Sequence, residues 1–256
     1  MHIEGNKPKQ ATKVKILLAI LSLTLFTLVF KSFFVGGLIF LGLFIHERGH
    51  LKAAEYLGLS HRGMYFLPGF GAVALLNEMP KSRAQECFIA MAGPVDGMLY
   101  TGFLAILAAL SPWGALSLIL ASAALWSGVI NLMNLLCPVD PLDGGRILKS
   151  ITFSIHPNVG FFMLIGSIAI SIYLALHGWP VFYLVSIAAI IGIFEEKKIY
   201  KIRPTMRWFD AIYATIGVVI IAVLLAGFSC FSANKIYKVK NMGNPHTTAY
   251  VQDIEQ

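Results

Sequence analysis

Seven apolar runs, most of them long enough to cross a bilayer as a helix, constrain this chain more than any other feature. A helix needs about 20 predominantly apolar residues to cross about 30 Å of hydrocarbon. The runs cover residues 14–34, 35–57, 84–110, 115–136, 159–176, 181–194 and 210–231. Only 13% of the 256 residues are charged and 57% are hydrophobic, whereas soluble domains carry about 25% charged residues. The sequence therefore predicts an integral, multi-pass membrane protein.

The order of the runs predicts an all-α polytopic membrane protein with about six to seven transmembrane helices. The run at 181–194 is short enough to be partly re-entrant, which separates a count of six from a count of seven. Lysines precede the first run, as in a signal peptide, but no A-x-A-like cleavage site follows. We therefore expect an uncleaved first span, and Gly36-Gly37 offers a turn into the second.

Two segments interrupt the helical pattern. Residues 64–67 and 72–76 read as short strands around a Pro/Gly turn, and together they are too short to span a membrane. They predict a small membrane-associated β-hairpin or sheet. The stretch 137–146, which is rich in proline and aspartate, cannot continue a helix.

Positive charges predict the orientation of the spans. The chain has a net charge of +7, and its Lys and Arg residues cluster between apolar runs, which suits membrane topology and anionic lipid rather than nucleic acid. Under the positive-inside rule, the clusters at 7–15, 62–83, 146–149 and 197–207 are cytoplasmic. The lysines at 235–240 then fall outside, against the rule.

The second apolar run contains an H-E-x-x-H segment at residues 46–50. His46 and His50 are four residues apart on a helix, so both imidazoles project from one face and can bind one ion. Zn²⁺ suits two imidazoles plus a carboxylate, with one position left for water. Glu47 lies one step round the helix, where it can act as the general base. Ionisable groups inside an apolar run cost several kcal/mol, which indicates function rather than a solvated face.

A catalytic zinc site requires a third protein ligand, and Asp143 is the leading candidate. It follows the fourth run on the same side of the membrane as the H-E-x-x-H segment, and the diglycine after it allows the backbone to bend toward the metal. Asp140 is the competing ligand. A third reading makes Asp143 only a turn residue of the loop.

Three motifs together resemble the site-2 protease family of intramembrane zinc metalloproteases. They are the H-E-x-x-H segment, the M-A-G-P stretch at 91–94, and Asn134 leading to L-D-G-G-R at 142–146. The resemblance covers about residues 36–146. Two features depart from the family pattern, because Cys137 lengthens the loop by one residue and Asp140 stands where an apolar residue or proline is more usual. A PDZ-like insertion and a regulatory nucleotide-binding domain are also not expected.

The resemblance implies specific roles for site residues. His46, His50 and Asp143 would bind zinc, and Glu47 would be the catalytic acid and base. Asn134 would position or polarise the substrate carbonyl, with an interhelical hydrogen bond as the alternative. The predicted hairpin resembles a sheet that holds an unwound substrate as an added strand.

These observations predict an intramembrane zinc metalloprotease that cleaves transmembrane segments of membrane proteins near the cytoplasmic side. We expect one transmembrane domain at 1–231, whose core at 36–146 carries the zinc site, and a polar tail at 232–256. The expected partners are a transmembrane-helix substrate, the bilayer of a prokaryotic cell and a regulatory membrane protein, without nucleic acid. The alternative is a non-proteolytic membrane protein that binds or transports zinc, for which Asp96 is the one other ionisable residue deep in a run.

Overall fold

The computed structural model describes residues 7–69 and 71–241. These residues form eight α-helices and one two-stranded sheet, which confirms the predicted fold class. In chain order the elements are α1 (Lys7–Val29), α2 (Phe33–Tyr56), β1 (His61–Leu67), β2 (Gly71–Leu76), α3 (Arg83–Leu110), α4 (Gly114–Leu136), α5 (Asp143–Ile155), α6 (Pro157–Leu176), α7 (Val181–Ile199) and α8 (Trp208–Asn241). The predicted tail begins inside α8, and residues 242–256 lie outside the described part.

Five of the described helices are long and apolar enough to cross a membrane: α1, α3, α4, α6 and α8. The chain is therefore an integral membrane protein. The helices α2 and α7 have 24 and 19 residues, which is also sufficient length. Charged side chains interrupt their apolar sequences, in α2 from the H-E-x-x-H segment onward and in α7 over its last turn. That α2 and α7 also cross remains a prediction.

The predicted turn at Gly36-Gly37 is wrong. The turn between α1 and α2 lies earlier in the chain. The chain reverses at Lys31, whose φ is 49°, and Ser32 caps α2 by accepting a hydrogen bond from the Val35 amide at 3.3 Å. Gly36 lies inside α2, where a Cβ would come within 2.8 Å of the Thr27 backbone. Glycine at this position allows α1 and α2 to pack closely.

The sequence did not predict α5, and the stretch 137–146 was expected to be non-helical throughout. The helix begins at Asp143, because the prolines of the stretch all precede that residue and do not interfere with its hydrogen bonds. A Cβ on Gly144 or Gly145 would come within 2.2 Å of backbone atoms that precede the helix. The diglycine thus allows the first turn of α5 to pack against the end of α4 and the loop that follows it.

The central helix of the bundle is α3, which packs against α2, α4, α5 and α8. Two glycines of α2 bring the helices close. A Cβ on Gly42 would lie 2.9 Å from the Tyr100 ring, and one on Gly49 would lie 2.6 Å from the Ala92 carbonyl oxygen. Small residues permit such close approach between membrane helices. The face of α2 that bears the H-E-x-x-H segment is therefore pressed against α3.

The strands β1 and β2 pair antiparallel, as predicted for the hairpin. The outer side of β1 lies along α1, where Lys15 Nζ donates to the Arg62 carbonyl at 2.5 Å and lies 4.4 Å from the centre of the Tyr65 ring. The other strand, β2, packs against α2. The hairpin is thus held between the first two helices, with β2 on the side of the H-E-x-x-H segment.

Candidate metal centre

The helix α2 divides the H-E-x-x-H region between two faces. His46, Glu47 and His50 are buried, whereas Arg48 and Lys52 are exposed. The spacing of four residues places both imidazoles on one face, toward α3 and α4. The ionisable residues predicted to carry the chemistry therefore lie inside the bundle.

An asparagine of α4 orients the His46 ring. Asn131 Oδ1 lies 2.7 Å from His46 Nδ1. The Asn131 Nδ2 group donates to the Ser127 carbonyl at 2.8 Å, which identifies the oxygen as the atom facing His46. An amide oxygen only accepts, so His46 Nδ1 donates, and Nε2 is the nitrogen left to bind a metal ion.

A backbone carbonyl orients the His50 ring in the same way. His50 Nδ1 lies 2.7 Å from the Ile89 carbonyl oxygen, so Nδ1 donates and Nε2 is the nitrogen left to bind a metal ion. The two Nε2 atoms are 3.1 Å apart. Two lone pairs that face each other without a proton between them repel unless a cation binds both.

The Asp143 carboxylate completes the group. Its Oδ2 lies 2.9 Å from His46 Nε2, and its Oδ1 lies 3.3 Å from His50 Nε2. All three side chains are buried, and their ligand atoms lie within 4.8 Å of one another. A tetrahedral zinc shell with bonds of about 2.0–2.2 Å separates neighbouring ligand atoms by about 3.3–3.6 Å. Donor types and separations therefore fit a zinc ion, with small adjustments of the side chains.

Asn134 contacts this carboxylate instead of pointing into open space. Its Nδ2 donates to Asp143 Oδ2 at 2.6 Å, and its Oδ1 accepts from the Asp143 amide at 3.2 Å. The same Nδ2 lies 3.2 Å from His46 Nε2. Asn134 therefore fixes Asp143 at the start of α5. Its predicted contact with a substrate carbonyl remains a prediction.

Asp140, the competing third ligand, points elsewhere. Its carboxylate lies 2.8 Å from Lys149 Nζ, and its backbone amide donates to Ser167 Oγ at 2.8 Å. Among the described residues, the group able to hold a metal comprises His46, His50 and Asp143. The structure thus places Asp143, rather than Asp140, beside the histidines.

Glu47 is buried beside the three candidate ligands but is not one of them. The charges of His46, His50 and Asp143 all act on its carboxylate, and the backbone amide of Ala74 in β2 lies next to it. The Glu47 carboxylate therefore lies between the metal group and the hairpin. A general base requires such a position, close to the metal with its coordination sites left free.

Gly93 of α3 closes one side of the site. A Cβ at this position would lie 2.2 Å from His50 Nε2 and 2.7 Å from His46 Nε2. Only glycine leaves room for both rings. The M-A-G-P stretch thus places its glycine against the two imidazoles, and Pro94 follows inside the helix.

The sequence-based prediction missed Asn131. It precedes Asn134 by three residues, which places both amides on one face of α4. Two amides at helical spacing inside an apolar run could have indicated a pair of contacts to the same site. The Ile89 carbonyl carries no comparable signal, because every residue has a backbone carbonyl.

No family model matches the sequence. The chain is similar to the zinc metalloprotease MJ0392 of Methanocaldococcus jannaschii, with 26% identity over 188 residues. The match covers 66% of this chain and 51% of the relative, so the chain spans about half the length of the relative. This similarity confirms the resemblance that the motifs indicate. Among solved structures, the site-2 protease from Methanocaldococcus jannaschii aligns with a TM-score of 0.49 and 23% identity, over 68% of this chain and 86% of that chain.

Proposed function

We propose that this chain is an intramembrane zinc metalloprotease of the site-2 protease family. It hydrolyses peptide bonds in transmembrane segments of membrane proteins, near the cytoplasmic side. The observation that carries the proposal is a buried group of two imidazoles and a carboxylate, with Glu47 beside it, inside a bundle of membrane helices. The name of the curated relative supports the same class of enzyme.

In this proposal His46, His50 and Asp143 hold the zinc ion through two Nε2 atoms and a carboxylate. When bound, zinc polarises the substrate carbonyl and lowers the pKa of water toward 7. Asn131 accepts a hydrogen bond from His46 Nδ1 and so leaves Nε2 as the metal-binding nitrogen, and Asn134 holds the Asp143 carboxylate. These buried contacts preorganise the ligands before the metal arrives.

Glu47 moves the proton. Its carboxylate takes a proton from the attacking water as the new C–O bond forms at the substrate carbonyl carbon. It then returns that proton to the leaving amine as the C–N bond breaks. Burial of Glu47 among the candidate ligands supports this role, because it holds the carboxylate close to the reacting atoms and away from bulk water.

The hairpin supports the binding of substrate in an extended form. Ala74 of β2 lies beside the Glu47 carboxylate, and β2 packs against α2. In a two-stranded antiparallel sheet, alternate residues of β2 direct their amide and carbonyl groups away from β1. An unwound peptide can pair with this edge as an added strand. Its backbone would then run past Glu47.

The cytoplasmic orientation rests on the positive-inside rule applied to the helices of the structure. Basic residues lie on the hairpin, at the start of α3, in α5 and between α7 and α8, all on one side if α2 and α7 cross. The candidate ligand Asp143 follows α4 on that side. We therefore place the site toward the cytoplasm of a prokaryotic cell. A regulatory membrane partner remains a prediction.

The test is the variant Glu47→Gln in the purified full chain. Zinc should bind at the wild-type stoichiometry, while cleavage of a model transmembrane substrate should fall by about 10²–10⁴-fold, the usual contribution of a general base. Glu55→Gln is the matched control, because Glu55 lies on the same helix and is exposed, with His61 as its partner. It should cleave normally. Wild-type cleavage by Glu47→Gln would overturn the mechanism.

The alternative function, zinc binding or transport without proteolysis, predicts a series of ion sites across the bundle. Within residues 7–69 and 71–241, one group of side chains could hold a metal. Asp96 forms an ion pair with Lys52 at 3.4 Å instead of contributing to a second group. The geometry favours the protease.

A further inference from the structure

Six charged side chains meet near the ends of the helices, away from the metal ligands. Three are cationic and three are anionic, and they come from α3, α5, α7 and two loops. We call them the ion cluster: Arg83, Glu86, Asp140, Lys149, Glu196 and Arg203. All six are mostly buried. The formal charges cancel within the cluster, so the loss of one cation leaves a buried carboxylate without compensation.

Lys149 is the member of the ion cluster that contacts the loop before Asp143. Its Nζ lies 2.9 Å from Glu86 Oε1 and 2.8 Å from Asp140 Oδ1. Glu86 has a second cationic partner, because Arg203 Nη1 lies 3.0 Å from its Oε2. For Asp140, Lys149 is the ion-pair partner in the described part of the chain. The loss of Lys149 would therefore affect the loop more than α3, because Glu86 of α3 would keep its ion pair with Arg203.

Both carboxylates that Lys149 contacts lie close in sequence to parts of the metal site. Asp140 precedes Asp143 by three residues, in the loop against which the first turn of α5 packs. Glu86 lies three residues before Ile89, and the carbonyl of Ile89 orients His50. Lys149 itself lies on α5, the helix that Asp143 begins. One ammonium group thus joins α3, α5 and the loop between α4 and α5.

We propose that Lys149 is a positioning residue for the metal site. By neutralising Asp140, it holds the loop so that Asp143, and not Asp140, faces the two histidines. The inference rests on the proposed zinc site. Burial alone would lower the pKa of the Lys149 ammonium, but the carboxylates of Glu86 and Asp140 raise it, so the side chain stays charged.

Zinc affinity of the purified full chain in detergent tests this role, measured by competition with a chromophoric chelator. Lys149→Met keeps the length of the side chain and removes its charge. It should weaken zinc binding by about 10–100-fold, the range found when a supporting contact of a metal site is lost. In the double variant Lys149→Met/Asp140→Asn, the uncompensated carboxylate is also removed, so zinc affinity should recover most of that loss.

Two controls separate positioning from general stability. Lys198→Met removes an exposed cation that pairs with Glu195 on α7, and it should bind zinc like the wild type. The melting temperature of each metal-free variant reports stability alone. The proposal fails if Lys149→Met binds zinc as tightly as the wild type, or if Asp140→Asn restores nothing. Failure of the wild-type chain to bind zinc would instead overturn the proposed function.

Discussion

His46 lies between two asparagines of α4 that act on different parts of the site. Asn131 accepts a hydrogen bond from His46 Nδ1, and Asn134 donates one to the carboxylate of Asp143. The first contact determines which nitrogen of the ring can bind metal, and the second determines where the carboxylate lies. Each amide carries an acceptor oxygen and a donor NH₂ group in one plane. Their fixed geometry suits a site that must bind one ion in one arrangement.

Replacing Asn131 tests the first contact. Asn131→Leu removes the acceptor, so the His46 ring loses its fixed tautomer and zinc affinity should fall by about 10–100-fold. Asn131→Asp keeps an oxygen facing Nδ1 but loses the donor to the Ser127 carbonyl, so it should bind zinc more tightly than the leucine variant. Titration of the metal-free proteins with zinc measures both. Equal affinities for the leucine variant and the wild type would show that Asn131 does not orient the ring.

At this scale the sequence predicted the candidate ligands and Asn134, but it missed the contacts made by Asn131 and Lys149. Spacing within one helix was sufficient to pair His46 with His50. The sequence favoured Asp143 over Asp140, and the positions of Lys149 and Asn134 support that preference through contacts across elements. Asn131 carried a weak signal that only its distance to His46 makes clear. Sequence spacing reports neighbours on one helix, whereas ligand support comes from other helices.

Among the helices, the contact between α2 and α3 sets the shape of the metal centre. Glycines on both helices remove the side chains that would otherwise separate the backbones. Gly93 leaves space for the imidazoles, and Gly49 admits the Ala92 carbonyl. The close approach of α2 and α3 therefore makes room for the metal centre, because the two imidazole rings occupy the volume that a Cβ on Gly93 would fill.

The variant Gly93→Ala should disrupt this contact. The added Cβ would lie 2.2 Å from His50 Nε2, so the rings must move apart and zinc binding should be lost or weakened by at least about 10-fold. Gly37→Ala is the matched control, because a Cβ there meets no atom within 4 Å. Its zinc affinity should not change. Zinc binding by Gly93→Ala at wild-type affinity would contradict the close packing described here.

Apolar length predicted seven of the helices, because hydrocarbon thickness sets a minimum length for each span. The predicted ends of these helices were less accurate. Gly36 suggested a turn but serves helix packing, and α8 continues to Asn241. The helix α5 was missed because it has no long apolar run and follows a proline-rich loop. Composition predicts elements in contact with lipid better than short helices that pack against protein.

Across the whole molecule, the arrangement of the helices assigns each loop to one side of the membrane. If seven helices cross, the turn between α6 and α7 and the loop between α7 and α8 lie on opposite sides. The latter carries the basic residues of the predicted cytoplasmic side. With a length of about 51 Å at 1.5 Å per residue, α8 extends well past about 30 Å of hydrocarbon.

Labelling with a membrane-impermeant thiol reagent tests this orientation. In a chain whose native cysteines are replaced by alanine, Lys201→Cys should react only in inside-out vesicles. His177→Cys should react only in vesicles of the opposite orientation. Both positions are exposed, so the reagent can reach each from its own side of the membrane. The reversed pattern would place the metal centre toward the outside. Labelling of both positions from one side would show that α7 does not cross.

The outward amide and carbonyl groups of β2 need hydrogen-bond partners even when no peptide is bound. Lipid tails offer none, and each unsatisfied polar group in hydrocarbon costs several kcal/mol. We therefore expect water to remain beside this edge in the resting protein, next to Glu47. Under the proposed function, an arriving peptide strand would displace most of that water and leave only the molecules nearest the carboxylate. In the proposed reaction, the edge of β2 would therefore hold the water needed for hydrolysis close to Glu47, and it would lose most other water as the peptide binds.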